Sequence, residues 1–429
     1  MSGFKLSRLL ALIAVTLLFD YAFADDPQTD SSAQQPQDNQ GEQDDTDDSH
    51  RDEVITTKLS GQLQGMSFLG KGGVYKNTTQ QQSIYFLSTG NIGIDAVGTT
   101  RDGLQYGGTI SISADRASFA LMSAYINLSN SYGTIKIGTV SSSGAGELAI
   151  DGASATLGGQ EGFAGYLGSV YTGCTGAITS QYMPYDIQGS TSILYSMPEI
   201  AGFTVAVSYT PHNRMTGSTS KSDGSNDFTD GVIGGNLYTT AKNMIAGGIQ
   251  YNYANDIWNT AVSLVGWHGQ DSISNGSRAN KVNKLNAYQI GATVGYESLT
   301  YGIGFLNLGK SLLNTHIDES TGTLPGADAG KAYTLGVSYV FDKWKFAAAC
   351  MHTIQNFGKS NKAACNAFSC TVDYHYVNGL AFYGELNYIS TTTCEVAIRY
   401  SGITDLGGIK EEKLSSDGAF LVFGIRLSF

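Results

Sequence analysis

The 429-residue sequence is poor in proline, in charge and in long hydrophobic runs: it holds 6 prolines, and 14% of its residues are charged. So few charges are unusual for the surface of a soluble protein. A transmembrane helix needs about twenty consecutive apolar residues, and no stretch beyond residue 24 is that long and apolar. Because lipid cannot satisfy open backbone groups, a membrane protein without such helices must be a closed β-barrel. These absences favour a barrel.

Motifs that carry catalysis are also missing. Gly-x-Ser-x-Gly does not occur, and the segment Gly70–Gly73 has neither the spacing of a phosphate-binding loop nor a helix pattern after it. A barrel phospholipase would need a serine beside a lipid-facing histidine. His268 and His352 leave that alternative open, although nothing in the sequence indicates the serine. The sequence therefore predicts that the protein is no enzyme and has no cofactor.

The sequence has five cysteines. An exported protein meets an oxidising compartment, and Cys365 and Cys370 are close together in one predicted loop, so they are a candidate disulfide. Because the number of cysteines is odd, at least one of them cannot form a disulfide within the chain. His375 is the only histidine nearby, which is too few ligands at regular spacing for a metal site. We therefore expect no metal.

The N-terminal residues have the pattern of an export signal. Lys5 and Arg8 precede an apolar run, Leu9–Leu18, that is too short to span a bilayer. Ala22–Ala24 has the small-x-small pattern of a cleavage site. We expect residues 1–24 to be a signal peptide.

Most of the net charge of −12 lies in residues 25–53, which hold eleven acidic side chains and one arginine. This segment has almost no apolar residues, so we expect an acidic, disordered periplasmic segment. The remaining residues, 54–429, are almost neutral and are expected to form the barrel. A nearly neutral barrel lacks the basic face that nucleic-acid binding needs.

The C-terminal residues show the strongest strand pattern. Phe423, Ile425, Leu427 and Phe429 alternate with small or polar residues, including Arg426. Successive side chains of a strand point to opposite faces, so one face is apolar and the other polar. An aromatic C-terminal residue on such a strand is typical of a transmembrane barrel with lipid outside and water inside.

The same two-residue period predicts sixteen strands from residue 54 onward. The connections between them alternate between short and long, as in outer-membrane barrels, and the longest loop is 140–189. The predicted strands are 54–66, 84–97, 104–114, 118–128, 133–139, 190–197, 202–210, 244–253, 257–268, 284–296, 299–309, 331–341, 344–354, 379–389, 393–401 and 418–429.

Four segments resemble the Gram-negative general (diffusion) porin family of the alphaproteobacterial type. Ala124–Leu128 with Gly133–Gly138 resembles the segment that leads into the family's third loop, and Ser192–Phe203 resembles the strand–turn–strand that follows it. Gly103–Gly107 and the terminal Phe429 also fit the family.

The resemblance implies an all-β, transmembrane antiparallel barrel of about 16 strands with an inward-folded long third loop. It also implies a homotrimeric, water-filled channel in the bacterial outer membrane, in contact with lipid and lipopolysaccharide, that passes ions and small hydrophilic solutes. The barrel-assembly machinery of the family reads the terminal aromatic residue, here Phe429. The chain departs from the family at Thr139, where arginine is common, and in its acidic segment 25–53.

By this resemblance, loop 140–189 sets the constriction of the pore. It has four acids and no base, so we expect weak cation selectivity. The wall opposite should be basic, and Lys58 and Arg426 are expected to be neighbours at the barrel closure. Lys136 is compatible with either face. The candidate constriction acids are Glu147, Asp151, Glu161 and Asp186, and the candidate wall bases are Lys58, Lys136, Lys345, Arg399 and Arg426.

Two other functions remain open at this stage. The long predicted loops 211–243 and 355–378 are large enough for a surface adhesin or receptor. A substrate-specific channel would need aromatic side chains along the pore. Tyrosines of the inward loop could serve that purpose: Tyr166, Tyr171, Tyr182 and Tyr185.

Overall fold

The computed structural model describes most of the region predicted to form the barrel. The predicted signal peptide and acidic segment lie outside the described residues. The described residues are 55–72, 84–115, 118–153, 155–157, 190–212, 241–271, 283–311, 328–356, 362–393 and 414–429.

Sixteen antiparallel strands form one closed barrel, in which each strand pairs with its neighbours in sequence and β1 pairs with β16. Within the described residues, no helix is long and apolar enough to cross a bilayer. The strands are β1 (Thr56–Gly72), β2 (Ile84–Thr99), β3 (Gln105–Asp115), β4 (Ser118–Asn130), β5 (Gly133–Thr139), β6 (Thr191–Ser196), β7 (Phe203–His212), β8 (Ala241–Ala254), β9 (Trp258–Asp271), β10 (Leu285–Tyr296), β11 (Leu299–Gly309), β12 (Gly330–Phe341), β13 (Trp344–Asn356), β14 (Lys362–Val377), β15 (Leu380–Thr393) and β16 (Leu414–Ser428).

The two faces of the wall differ as the alternation predicts. On β10, Ile290 points outward and is 46% exposed, whereas its neighbour Gln289 points inward and is 3% exposed. Large apolar side chains lie on the outer face of every strand. Serine, threonine, glutamine and glycine are common on the inner face. This arrangement is the reverse of a soluble barrel and suits lipid outside and water inside.

Aromatic pairs lie near the rim that carries the tight turns. Phe203 packs on Tyr251, and Trp258 packs on Tyr296, each with 4.7 Å between ring centroids. Trp344 packs on the Tyr374 ring at 4.5 Å. Amphipathic rings favour the boundary between membrane and water, so these pairs form the aromatic girdle expected at this rim.

The strand count is correct, but not every strand lies where it was predicted. Residues 362–377, assigned to a long loop, form β14. Of the strand predicted at 393–401, Thr393 is the last residue of β15, and residues 394–401 lie outside the described residues. The pattern was missed because, at the start of β14, Cys365 and Ala367 face inward while Asn366 faces outward, which inverts the usual contrast in polarity.

The C-terminal residue closes the barrel. The N–H of Phe429 donates to the Gly61 carbonyl at 3.0 Å, and the N–H of Gly61 donates to the Phe429 carbonyl at 2.9 Å. These bonds extend the pairing of β16 with β1 by one residue pair beyond Gln62 and Ser428. The Phe429 ring covers Gly61, where a Cβ atom would lie 2.6 Å from it.

We expect the purified protein to resist SDS at room temperature and to change its electrophoretic mobility after boiling. In a closed barrel every strand is paired on both sides, so detergent finds no free edge at which unfolding can begin. Electrophoresis of heated and unheated samples tests this directly. Equal mobility of the two samples would contradict the closed barrel.

Deletion of Phe429 should lower the amount of protein in the outer membrane more than it lowers conductance per channel. The deletion removes the two hydrogen bonds to Gly61 and the ring that covers it. Membrane fractionation with immunoblotting measures the amount, and a Phe429→Tyr variant, which keeps an aromatic ring, serves as the control. A normal level of the truncated protein would show that this residue is dispensable for assembly.

Candidate functional site

The connection after β5 turns back into the barrel. A short helix, α1 (Gly144–Leu148), begins after Ser143, whose Oγ accepts a hydrogen bond from the N–H of Gly146 at 3.1 Å. The N–H of Gly144 donates to Oγ of Ser208 on β7 at 2.9 Å. Ser208 is a buried, inward-facing residue. The helix therefore lies on the inner side of the wall.

The residues after α1 continue along the wall. The N–H of Ile150 donates to Oγ of Ser263 on β9, and Nε2 of Gln289 on β10 donates to the Ile150 carbonyl, each at 3.0 Å. Nζ of Lys345 on β13 donates to the Leu157 carbonyl at 3.2 Å. The described residues of this connection, 140–153 and 155–157, thus cross the inner face from β7 to β13.

Asp151 occupies the middle of this crossing and is buried, at 8% exposure. Its Oδ1 accepts a hydrogen bond of 2.5 Å from the Thr334 hydroxyl on β12. The same Thr334 oxygen accepts a bond from the N–H of Gly152 at 3.2 Å. Asp151 is therefore held against the wall, and it anchors the loop.

Glu147 and Lys136 form an ion pair of 2.6 Å between Oε1 and Nζ. Ser196 on β6 donates to the other oxygen of Glu147 at 2.8 Å. The Lys136 ammonium also lies 5.7 Å from the centre of the Tyr125 ring. Lys136 therefore faces the lumen, and its charge is balanced by the loop.

A second charged cluster lies on the inner face of β13, β14 and β16. Arg426 is 3.5 Å from the Asp373 carboxylate, and Lys345 is opposite Asp373 in the strand register. Arg426 also lies 5.9 Å from the Tyr383 ring, whose hydroxyl accepts a hydrogen bond from Gln64. Lys345 and Arg426 both lie on the inner face of the wall. Asp373 was not a candidate, because it belongs to the predicted loop 355–378.

Lys58 lies far from this cluster. It is exposed near the start of β1, opposite Asp95 on β2. The prediction that Lys58 and Arg426 are neighbours is wrong, since Arg426 pairs with Gln64. Six residues of strand separate the two positions, or about 20 Å. Three other candidates lie outside the described residues: Glu161, Asp186 and Arg399.

The predicted disulfide between Cys365 and Cys370 is also wrong. Both residues are on β14, where an odd spacing puts them on opposite faces. Five residues of strand separate their Cα atoms by about 17 Å, whereas a disulfide requires less than about 7 Å. Within the described residues, no group of three or more potential ligands could hold a metal ion.

The two histidines considered for a phospholipase have asparagine partners. Nδ1 of His268 is 2.7 Å from Oδ1 of Asn286, and Nδ1 of His352 is 2.7 Å from Oδ1 of Asn366. Each pair joins directly opposed residues of adjacent strands. The pairs therefore tie neighbouring strands together on the outer face of the wall.

An apolar outer face, a polar inner face and a loop anchored inside the lumen define a transmembrane β-barrel of the pore-forming class. The sequence profile of the Gram-negative porins matches residues 19–393. The chain belongs to the Gram-negative porin family and is a multi-pass protein of the outer membrane. Comparison with curated protein sequences gives no significant match.

Solved structures of outer-membrane barrels have the same fold. OmpT of Vibrio cholerae, described as a trimer form, is 14% identical with a TM-score of 0.53, and the match covers 88% of this chain and all of that one. A variant of the Rh. blastica porin is 14% identical with a TM-score of 0.50, covering 87% of this chain and all of that one. At these identities the likeness concerns the fold alone.

Replacement of Thr334 by valine should destabilise the loop and the barrel. It leaves the buried Asp151 carboxylate without the hydroxyl that donates to it, at a cost of about 1–3 kcal/mol. The free energy of unfolding in urea measures the loss. Thr293→Val, on the inner face of β10 and outside the loop's hydrogen-bond set, is the matched control. Equal stabilities of the two variants would contradict an anchoring role for Thr334.

Proposed function

We propose that the protein is a diffusion channel that lets ions and small hydrophilic solutes cross the outer membrane without a chemical step. The observation that carries this proposal is the hydrogen-bonded course of residues 140–157 along the inner wall. A loop that is held inside the barrel narrows the water-filled space, and the narrowest part of a pore selects solutes by width and charge. We propose no enzymatic activity and no cofactor.

Charge placement supports a weak preference for cations. Loop 140–189 has four acidic side chains and no basic ones. Two of the described wall bases have acidic partners: Lys136 pairs with Glu147, and Arg426 lies next to Asp373. Because these two bases already have acidic partners, they oppose cations less than unpaired bases would. Acids in a confined passage concentrate cations more than acids on an open surface.

A homotrimer is part of the same proposal. OmpT of V. cholerae is described as a trimer. In this chain, the outward-facing residues of β2 to β4 are mainly aliphatic, among them Ile92, Ile110 and Ile126. Aromatic side chains dominate the tight-turn rim on β7 to β15. A sector with few aromatics suits a contact with another protein surface better than a lipid–water boundary.

The triple variant E147Q/D151N/E161Q should shift the zero-current potential in a salt gradient toward anions. The substitutions remove loop acids, and E147Q also releases the Lys136 ammonium. The shift should be largest at low salt, where screening is weakest. Planar-bilayer recording of the purified protein measures both conductance and potential.

Glu199→Gln is the matched control, since Glu199 is an exposed acid of the turn 197–202. It should leave the potential unchanged. A strongly anion-selective wild type, or a triple variant that behaves as the wild type does, would contradict the role of the loop in selectivity. A folded wild type without any conductance would contradict the channel and favour an adhesin or receptor.

A further inference from the structure

Four glycines form a continuous patch on the inner face of the wall. Gly291 on β10 is opposite Gly304 on β11, and Gly302 on β11 is opposite Gly336 on β12. All four alternate along their strands with outward-facing apolar residues, so they face the lumen. We call these four residues the glycine floor.

The loop lies directly on the glycine floor. A Cβ atom at Gly291 would be 1.8 Å from the Ile150 carbonyl oxygen, and one at Gly302 would be 2.4 Å from the Gly152 oxygen. A Cβ atom at Gly336 would be 1.9 Å from Oγ1 of Thr156. All of these distances are shorter than a Cβ atom tolerates, so only glycine lets the loop approach the wall this closely.

The loop cannot avoid such a clash by sliding along the wall. The Ile150 carbonyl is bonded to Gln289, and the Ile150 N–H to Ser263. Thr334 bonds both Asp151 and Gly152. With these positions fixed along the wall, the direction left for residues 150–156 is away from it, toward the pore axis.

We propose that the glycine floor sets the width of the pore, with Gly291, Gly302 and Gly336 acting as positioning residues for the loop. A side chain at these positions would push the loop into the lumen by roughly 1 Å or more, because packed atoms do not interpenetrate. The native glycines therefore give the wider opening. The inference rests on the proposed channel function and adds the residues that determine its aperture.

The test compares G291A and G336A with G266A. Gly266 is a strand glycine of β9 at which the nearest atom to a Cβ would be 3.4 Å away, an ordinary contact. Each protein is checked for the heat-dependent mobility shift, and its single-channel conductance is then recorded. Liposome swelling with sugars of increasing size gives the exclusion limit. We expect lower conductance and a smaller exclusion limit for G291A and G336A, and wild-type values for G266A.

A compensating substitution separates loop position from general damage. Thr156→Ala removes the Oγ1 atom that a Cβ at position 336 would meet, leaving the Gly152 oxygen at 2.8 Å as the nearest atom. The double variant G336A/T156A should regain part of the lost conductance, since the weaker clash with the Gly152 oxygen remains. If G336A alone does not form a heat-modifiable barrel, recovery of both barrel and conductance in the double variant supports the proposal.

Three results would overturn the inference. One is wild-type conductance and exclusion limit in folded G291A and G336A. Another is a loss of conductance in G336A that T156A does not restore. A wild type that folds but forms no channel would refute the channel function and the inference with it, whereas the first two results refute only the role of the glycine floor.

Discussion

The structure depends on the inability of lipid to form hydrogen bonds. Each unpaired backbone group in the hydrocarbon layer would cost several kcal/mol, so the sheet has to close and leave no edge. Pairing of β1 with β16, extended by the bonds between Gly61 and Phe429, meets this requirement. The remaining features follow from closure: the outer face must be apolar, and the polar groups of the chain gather inside.

The interior is organised by the same requirement for bonded polar groups. The loop brings backbone N–H and carbonyl groups into the barrel, and side chains of the inner wall satisfy several of them, including Ser208, Ser263 and Gln289. The charged groups are arranged in a similar way, with Glu147 against Lys136 and Asp373 against Arg426. The inner wall is thus both the lining of the pore and the support of the loop.

Much of the fold could be predicted from the sequence, since lipid imposes a two-residue period on each strand. Strands β5 and β11 were placed without error, because both have a regular alternation and begin directly after a tight turn. β14 was missed because its first inward-facing residues, Cys365 and Ala367, are no more polar than their outward-facing neighbour Asn366. Without β14, Asp373 could not be placed, and Cys365 and Cys370 were assigned to a loop in which they could meet.

Parts of the candidate site were beyond this reasoning. The alternation assigns a face to Lys345 and Arg426, but it does not tell which partner each has across the barrel. The register between strands decides that, as the separation of Lys58 from Arg426 shows. Contacts of the loop with Thr334 and Gly336 join residues about 180 positions apart, and no local pattern records them. Inward-facing serine, threonine and glutamine were the one signal that could have pointed to the anchors.

The contact between the loop and the glycine floor also has a mechanical consequence. Glycine has more backbone freedom than any other residue. In the interior of a strand it lowers stability by about 0.5–1 kcal/mol per residue relative to alanine. Four adjacent glycines on three strands therefore make this part of the wall compliant. The loop crosses it as a brace, bonded on both sides of the patch to β9 and to β13. The barrel thus owes part of its resistance to lateral deformation to the segment that obstructs it.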